Sequence, residues 1–385
     1  MTKYTGEQLI ERARRETGLE RFDDESFREG LDIYLSDFSA QQPADDRAEA
    51  NAAYVVKALS DRLSIEDALR RRPELLDRPV ERPVFVFGVP RTGTTLLSNL
   101  LAADPARRSP LSWEIEHPVP PPTTNTLHTD PRCLAMLERE REMQAAMPEM
   151  FKYYRNSAVY PNECVFWTIH DFKALIWESR GRMPNYRDWI YDPAIDMLPT
   201  YKYHKKFLQL HQADAPGTWN LKLPSHSLWL DTLLQVYPDA RLVWTHRDPI
   251  TATSSYCSLQ RLAATHSSGV IDLEWIGQNY SWQTAEHARR VMATRARIGH
   301  DRIIDVHYAD VLRDPVGAMR KLYAALGDDF TAEAEASIQA WLDANPQGKF
   351  GNHEYKLAEF GLTAEQVREG FAEYLAAYDV EPEGA

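Results

Sequence analysis

The sequence has few cysteines, no excess of positive charge and no long apolar run. Its three cysteines, Cys133, Cys164 and Cys257, are widely spaced, which indicates neither a disulfide framework nor a zinc site. The net charge of −13 argues against nucleic acid as a partner, because proteins that bind a phosphate backbone usually present a basic face. No segment approaches the roughly 18 consecutive apolar residues of a membrane span. The N-terminal segment MTKYTGEQLIERARRE is a charged helix start instead of a signal peptide, which predicts a cytoplasmic location.

The segment from Pro83 to Leu101, PVFVFGVPRTGTTLLSNLL, predicts a strand, a tight loop and a helix. Residues 84–87 are β-favouring and lack polar alternation, as in a central parallel strand covered on both faces. Gly88 and Gly93 permit a turn whose backbone N–H groups point inward, and leucines at helical spacing follow it. Such a turn binds phosphate through its N–H groups and the dipole of the helix that it begins.

This loop differs from the nucleotide-binding P-loop at one position. Its Gly-x4-Gly spacing fits that motif, but Thr94 stands where the motif has lysine, and the cation of the loop is Arg91. A P-loop kinase, which needs that lysine and an acidic metal-binding strand end, is therefore one alternative function. A non-catalytic nucleotide-binding protein is another.

The stretch GVPRTGTT resembles the 5′-phosphosulfate loop of sulfotransferases, which use 3′-phosphoadenosine 5′-phosphosulfate as the sulfonyl donor. The tyrosylprotein and bacterial branches are most similar, since they carry arginine where cytosolic ones carry lysine. The resemblance implies an α/β fold with a P-loop-type parallel sheet flanked by helices, and it implies a reaction without a metal. It also implies that the donor's 5′-phosphosulfate end is bound by Arg91, Thr92, Gly93, Thr94 and Thr95.

A second motif is the predicted strand that begins at Trp219 and ends in Lys-x-Pro. In tyrosylprotein sulfotransferases the corresponding lysine lies on the transferring sulfonyl group. The resemblance therefore implies that Lys222 is catalytic, with Arg91 beside it. His226 follows four residues later, and bacterial relatives commonly have a Lys-x-Pro-x-His run.

The remaining motifs belong to the far end of the donor. Arg247 ends a predicted strand, and Ser255 stands eight residues later on a helix begun by Asp248. This pair resembles the family's 3′-phosphate site, where arginine can form bidentate hydrogen bonds. Tyr308 resembles the tyrosine on the adenine side. Lys349, in a glycine-bearing loop, resembles the basic loop that folds over the 3′-phosphate.

Three residues are candidates for the base that removes the acceptor's proton. Glu114 is favoured, because it follows the first crossover helix, where a second parallel strand would end near the loop. In the tyrosylprotein and heparan branches a glutamate at the corresponding place is the base, although the alignment needs a shift of two residues. The apolar neighbours of Glu114 suit a general base. His226 and Glu163 remain alternatives.

The chain divides into a helical N-terminal extension, residues 1–80, and an α/β domain, residues 81–385, with a helical cap inserted at about 130–218. The extension is expected to pack either against the sheet or against a partner in a homodimer. Many aromatic residues in the cap favour a sizeable apolar acceptor. The predicted reaction is sulfonyl transfer from 3′-phosphoadenosine 5′-phosphosulfate to a hydroxyl of a small molecule, lipid or glycan.

Overall fold

A computed structural model describes residues 3–146, 157–346 and 356–383 of the chain. Within these ranges the protein forms a five-stranded sheet in which all neighbouring strands are parallel and the order is β2-β3-β1-β4-β5. The strands are β1 (Val84–Gly88), β2 (Arg107–Arg108), β3 (Thr218–Lys222), β4 (Arg241–His246) and β5 (Ile303–His307). In the same ranges, we find no helix with the length and apolar character that crossing a bilayer requires.

Helices surround this sheet. Before the sheet begins lie α1 (Gly6–Thr17), α2 (Arg28–Ala40) and α3 (Asp45–Arg71). Between β1 and β3 lie α4 (Thr94–Ala102), α5 (Ser112–Glu116), α6 (Pro131–Ala146), α7 (Val165–Thr168), α8 (Leu175–Glu178), α9 (Pro184–Tyr191) and α10 (Leu198–His211). The rest are α11 (Leu230–Val236), α12 (Pro249–His266), α13 (Leu273–Ile298), α14 (Tyr308–Arg313), α15 (Pro315–Leu326), α16 (Ala332–Ala344), α17 (Ala364–Gly370) and α18 (Ala372–Ala377). The predicted α/β class is confirmed.

Strand β1 is the centre of the sheet and is buried along its whole length. It pairs with β3 on one side and β4 on the other, so that Phe85 lies opposite both Leu221 and Leu242. Its side chains alternate between two hydrophobic clusters: Phe85 and Phe87 face the N-terminal helices and the cap, whereas Val84 and Val86 face α4 and α15. An apolar strand without alternation therefore did indicate burial on both faces.

The N-terminal extension packs on the protein's own cap. Leu9, Val55 and Phe85 belong to one hydrophobic cluster, which joins α1 and α3 to the sheet. Arg62 of α3 is fully buried, and its guanidinium contacts Asp171 of the cap at 2.8 Å. The extension therefore packs within the chain, whereas the homodimer and the boundary at residue 80 stay predictions.

The cap contains several short helices. Residues 162–178 include two of them, α7 and α8, which are separated near Phe172, whose φ of 51° is not helical. The aromatic rings of Trp167, Trp177, Tyr201 and Tyr203 are buried in the main hydrophobic cluster. These rings are therefore core, and the aromatic density of the cap is not evidence for the size of an acceptor.

The expectation that Glu114 ends a strand near the loop was wrong. Strand β2 contains only two residues, and Glu114 lies on the short helix α5. Pro110 follows β2 and has no N–H group for a ladder, which favours an early strand end. The Glu114 carboxylate then accepts the backbone N–H of Leu111 at 3.0 Å and stabilises the start of α5.

Candidate functional site

The candidate site lies at the carboxyl edge of the sheet. Because the strands are parallel, β1, β3, β4 and β5 all end at this edge, where α/β proteins commonly bind ligands. Strand β1 runs into the loop 89–93, β3 ends at Lys222, Arg247 follows β4 and Tyr308 follows β5. Four segments that are distant in sequence thus bring their predicted site residues together.

The loop is shaped by internal contacts. The hydroxyl of the buried Thr92 donates to the carbonyl oxygen of Val89 at 2.7 Å and lies 2.6 Å from the Thr245 hydroxyl. Gly93 has φ 89°, and a Cβ atom there would lie 2.3 Å from the Tyr308 ring. Gly93 is also the N-cap of α4, so it offers no side chain to the first N–H groups of that helix. These N–H groups suit an anion.

The predicted donor residues form a connected group. The Arg91 Nε atom donates to the Ser255 hydroxyl at 3.0 Å, and an Arg247 guanidinium N–H donates to the Arg91 carbonyl oxygen at 3.0 Å. The Arg247 guanidinium carbon also lies 4.5 Å from the centre of the Tyr308 ring. Arg247 and Ser255 therefore both contact Arg91, through its carbonyl oxygen and its guanidinium, and their shared role at a phosphate stays a prediction.

A carboxylate from the C-terminal segment contacts the same arginine. Both oxygens of Glu383 accept hydrogen bonds of 2.7 Å from Arg247, in a bidentate arrangement. A phosphate group would use this guanidinium edge in the same way. Sequence reasoning missed Glu383, since nothing local relates two residues that are 136 positions apart.

A second ion pair lies beside the loop. The Lys222 Nζ atom donates to Glu163 Oε1 at 2.6 Å and to the Thr95 hydroxyl at 3.3 Å. The Glu163 side chain is 31% exposed, whereas that of Lys222 is 4% exposed. The N–H of Cys164 donates to the Lys222 carbonyl oxygen at 3.0 Å and fixes this part of the cap to the end of β3. The pair joins an accessible carboxylate to a cation next to the loop.

Glu114 does not contact the loop but pairs with Arg108. Its carboxylate takes two hydrogen bonds from Arg108, one of them at 2.9 Å, and a third from the Leu111 N–H. Arg108 lies opposite Trp219 near the start of β3, whereas Lys222 ends that strand. Both partners are buried, with side chains 3% and 1% exposed. The carboxylate therefore serves a buried ion pair and is not brought to the loop.

His226 is fully buried and its Nδ1 atom lies 2.8 Å from the Tyr201 hydroxyl. Burial lowers the pKa of His226 well below its ordinary value, so the ring is neutral near pH 7. With no exposed area, this imidazole cannot contact an acceptor. Lys349, the remaining predicted donor residue, lies outside the described residues.

The central strand of this parallel sheet enters a glycine and threonine loop, and cations from neighbouring strand ends lie around that loop. These features define a protein of the P-loop-type α/β class with a candidate phosphate site at the carboxyl edge of its sheet. The model of the sulfotransferase family matches residues 83–332. The chain therefore belongs to the sulfotransferase family, as the loop resemblance implied.

Individual relatives agree with this assignment. The structure of sulfotransferase STF9 from Mycobacterium avium superposes with a TM-score of 0.93, at 40% identity over 100% of this chain and 99% of that one. Sulfotransferase STF1 from Mycobacterium tuberculosis H37Rv has a TM-score of 0.86, at 30% identity over 97% and 99% of the chains. Omega-hydroxy-beta-dihydromenaquinone-9 sulfotransferase Stf3 of Mycobacterium bovis is 26% identical over 310 residues, 77% of this chain and 74% of that protein.

Proposed function

We propose that this sulfotransferase moves a sulfonyl group from 3′-phosphoadenosine 5′-phosphosulfate to a hydroxyl of an apolar small molecule or lipid. The observation that carries the proposal is the Glu163–Lys222 pair beside the loop, with the ammonium also 3.3 Å from Thr95. The relative named for a hydroxylated menaquinone derivative supports an acceptor of lipid character.

The donor is assigned to the two groups of residues at the carboxyl edge. The loop N–H groups, Arg91 and the hydroxyls of Thr94 and Thr95 hold the 5′-phosphosulfate end. Arg247 and Ser255 hold the 3′-phosphate, and Tyr308 lies on the adenine side. Lys349 stays a prediction for the 3′-phosphate. These assignments rest on the hydrogen bond between Arg91 and Ser255 and on the stacking of Arg247 over Tyr308.

The proposed reaction is an in-line displacement. Glu163 takes the proton of the acceptor hydroxyl while its oxygen forms a bond to sulfur, and the bond from sulfur to the bridging phosphate oxygen breaks. Lys222 and Arg91 stabilise the negative charge that develops on the sulfonyl and bridging oxygens. The exposed fraction of Glu163 and its contact with Lys222 favour it over Glu114, which is already enclosed by Arg108.

The donor site can be tested by calorimetric titration with 3′-phosphoadenosine 5′-phosphate in magnesium-free buffer. We expect saturable binding to the wild type and at least tenfold weaker binding to Arg247→Ala, since arginine holds phosphate through charged, paired hydrogen bonds. Arg261→Ala is the matched control, because Arg261 lies on α12 and pairs with the exposed Glu359. Absence of binding at millimolar ligand would refute the proposed donor.

The acceptor can be sought with labelled donor and a panel of hydroxylated quinones, phenols, sterols and glycolipids. We expect transfer to an apolar member of the panel without added magnesium. Transfer of phosphate from a nucleoside triphosphate, dependent on magnesium, would instead support the kinase alternative. Donor binding without transfer to any acceptor would support a binding protein.

A further inference from the structure

A buried group of sulfur and nitrogen ligands lies beneath the candidate site. Cys164 is the residue before α7, His204 lies in α10, and His226 lies in the turn after β3. All three side chains are completely buried. One potential ligand atom from each lies within 4.8 Å of the others. We call these three residues the CHH cluster.

In each of the two imidazoles of the CHH cluster, only one ring nitrogen has a hydrogen-bond partner among the described residues. Nδ1 of His226 lies 2.8 Å from the Tyr201 hydroxyl, and Nδ1 of His204 lies 2.7 Å from the Tyr237 hydroxyl. The Nε2 atoms of both rings are buried, and within the described parts of the chain neither has a hydrogen-bond partner. Buried polar atoms in native proteins usually have partners, and one occupant of this cluster could satisfy both Nε2 atoms.

We propose that the CHH cluster binds one Zn²⁺ ion through the Cys164 thiolate and the Nε2 atoms of His204 and His226. One thiolate and two imidazoles form a ligand set typical of zinc and other thiophilic transition metals. If each ring donates its Nδ1–H to a tyrosine hydroxyl, both Nε2 lone pairs are available to the ion, and the tyrosine contacts orient the ligands.

Binding requires the cluster to contract. Tetrahedral zinc with bonds of about 2.0 to 2.3 Å places its ligand atoms about 3.3 to 3.6 Å apart, whereas those of the cluster lie within 4.8 Å of one another, so the side chains must move together by up to about an ångström. Binding breaks the S–H bond of Cys164 and releases its proton to solvent, with no change in oxidation state. Sequence reasoning missed this site, because its ligands are not closely spaced in the chain.

The site does not depend on the proposed function, but it adjoins the same elements. Cys164 directly follows Glu163, and its N–H donates to the Lys222 carbonyl oxygen at 3.0 Å. An ion in the CHH cluster would therefore tie α7 and α10 to the end of β3 and hold the Glu163–Lys222 pair in place. The competing occupant is a buried water molecule, which could satisfy both Nε2 atoms.

The direct test is native mass spectrometry of the full-length protein produced in zinc-supplemented medium. We expect one zinc per chain in the wild type and loss of that zinc in Cys164→Ser. Cys257→Ser is the control, because Cys257 is also buried but lies outside the cluster, 3.8 Å from the carbonyl oxygen of Ile276. A wild type without zinc, or a Cys164→Ser variant that keeps it, would overturn the proposal.

A second measurement guards against misfolding of Cys164→Ser. The variant with Cys133→Ser and Cys257→Ser keeps Cys164 as its one cysteine. Produced with cobalt in place of zinc, it should show a thiolate-to-cobalt charge-transfer band in the near ultraviolet. A folded protein of this kind without the band contradicts sulfur ligation and leaves water as the occupant.

Discussion

At the residue scale, Glu114 and Glu163 each form an ion pair with a basic side chain. The exposed fraction of each glutamate determines whether it can contact a substrate. Glu114 and Arg108 are almost fully enclosed, with side chains 1% and 3% exposed. Glu163 is 31% exposed and meets Lys222 at the edge of the sheet. An enclosed pair contributes to stability when intact and costs much when broken, whereas an accessible carboxylate can contact a substrate.

Replacing Glu114 should therefore change stability and spare turnover. Glu114→Gln leaves the buried Arg108 without a counter-charge, and we expect the free energy of unfolding to fall by about 3 kcal/mol. Urea unfolding measures this loss, and turnover per folded molecule should stay near the wild-type value. Glu116→Gln, which changes an exposed neighbour, is the control. A stable Glu114→Gln protein without turnover would restore Glu114 as the base.

At the scale of elements, the C-terminal segment occupies Arg247, the arginine proposed to hold the donor's 3′-phosphate. Glu383 occupies this guanidinium with two hydrogen bonds of 2.7 Å, and its side chain is 36% exposed. A partly exposed pair of this kind contributes about 1 kcal/mol at most, which corresponds to about a fivefold change in affinity. With Arg247 in its proposed role, we expect the segment to set only a modest barrier to donor binding.

We expect Glu383→Gln to bind 3′-phosphoadenosine 5′-phosphate up to about fivefold more tightly than the wild type. The difference should shrink at high salt, where the ion pair is screened. Glu381→Gln is the matched control, since Glu381 pairs with Arg313 and not with Arg247. Calorimetry measures both variants, and equal or weaker binding by Glu383→Gln would show that the segment does not oppose the donor.

Gly93 in the loop 89–93 is constrained both by its backbone conformation and by its contact with Tyr308, and replacing it tests both constraints. Gly93→Ala places a Cβ atom 2.3 Å from the Tyr308 ring at a φ of 89°, so the loop and the tyrosine must move apart. We expect donor affinity to fall at least tenfold. Gly361→Ala is the control for backbone strain alone, because its φ is 68° and no described atom lies within 4 Å of its Cβ position. That variant should lose about 1 kcal/mol of stability and keep donor binding.

For the whole molecule, the sequence predicted the sheet and the donor loop but not the pairing of the carboxylates. Residues 84–101 carry a local pattern that specifies a buried strand, a turn and a helix, and the structure has all three. Glu163 and Lys222 are 59 positions apart, and their contact depends on how the cap folds back on β3. The contact of Glu383 with Arg247 and the CHH cluster were not predicted for the same reason, since their residues are far apart in the sequence. Cytoplasmic location and a homodimer stay predictions.

Global stability should depend on pH through Glu178, which joins the cap to α13 by accepting a hydrogen bond from Asn279 at 2.7 Å. Burial raises the pKa of Glu178 from 4.5 to about 7. The folded protein therefore keeps this proton where the unfolded chain has lost it. The resulting stability is complete below pH 4.5 and is lost as the pH rises through about 7.

We expect the wild type to lose up to about 3 kcal/mol through this group over that interval, at about 1.4 kcal/mol per pKa unit. Glu178→Gln should remove this part of the pH dependence and be more stable than the wild type at neutral pH. Urea unfolding between pH 5 and pH 8 measures the two curves, with Glu274→Gln, an exposed change on α13, as control. Parallel curves for wild type and Glu178→Gln would contradict the assignment.

The central claim is that Glu163 removes the acceptor's proton at a site that binds the donor independently of it. Single-turnover transfer of labelled sulfonyl from saturating 3′-phosphoadenosine 5′-phosphosulfate to the acceptor found in the panel tests this most directly. Glu163→Gln keeps an oxygen for Lys222 but cannot take the proton, so we predict transfer slower by about a hundredfold or more with donor affinity within a fewfold. Transfer by Glu163→Gln at the wild-type rate would contradict the account.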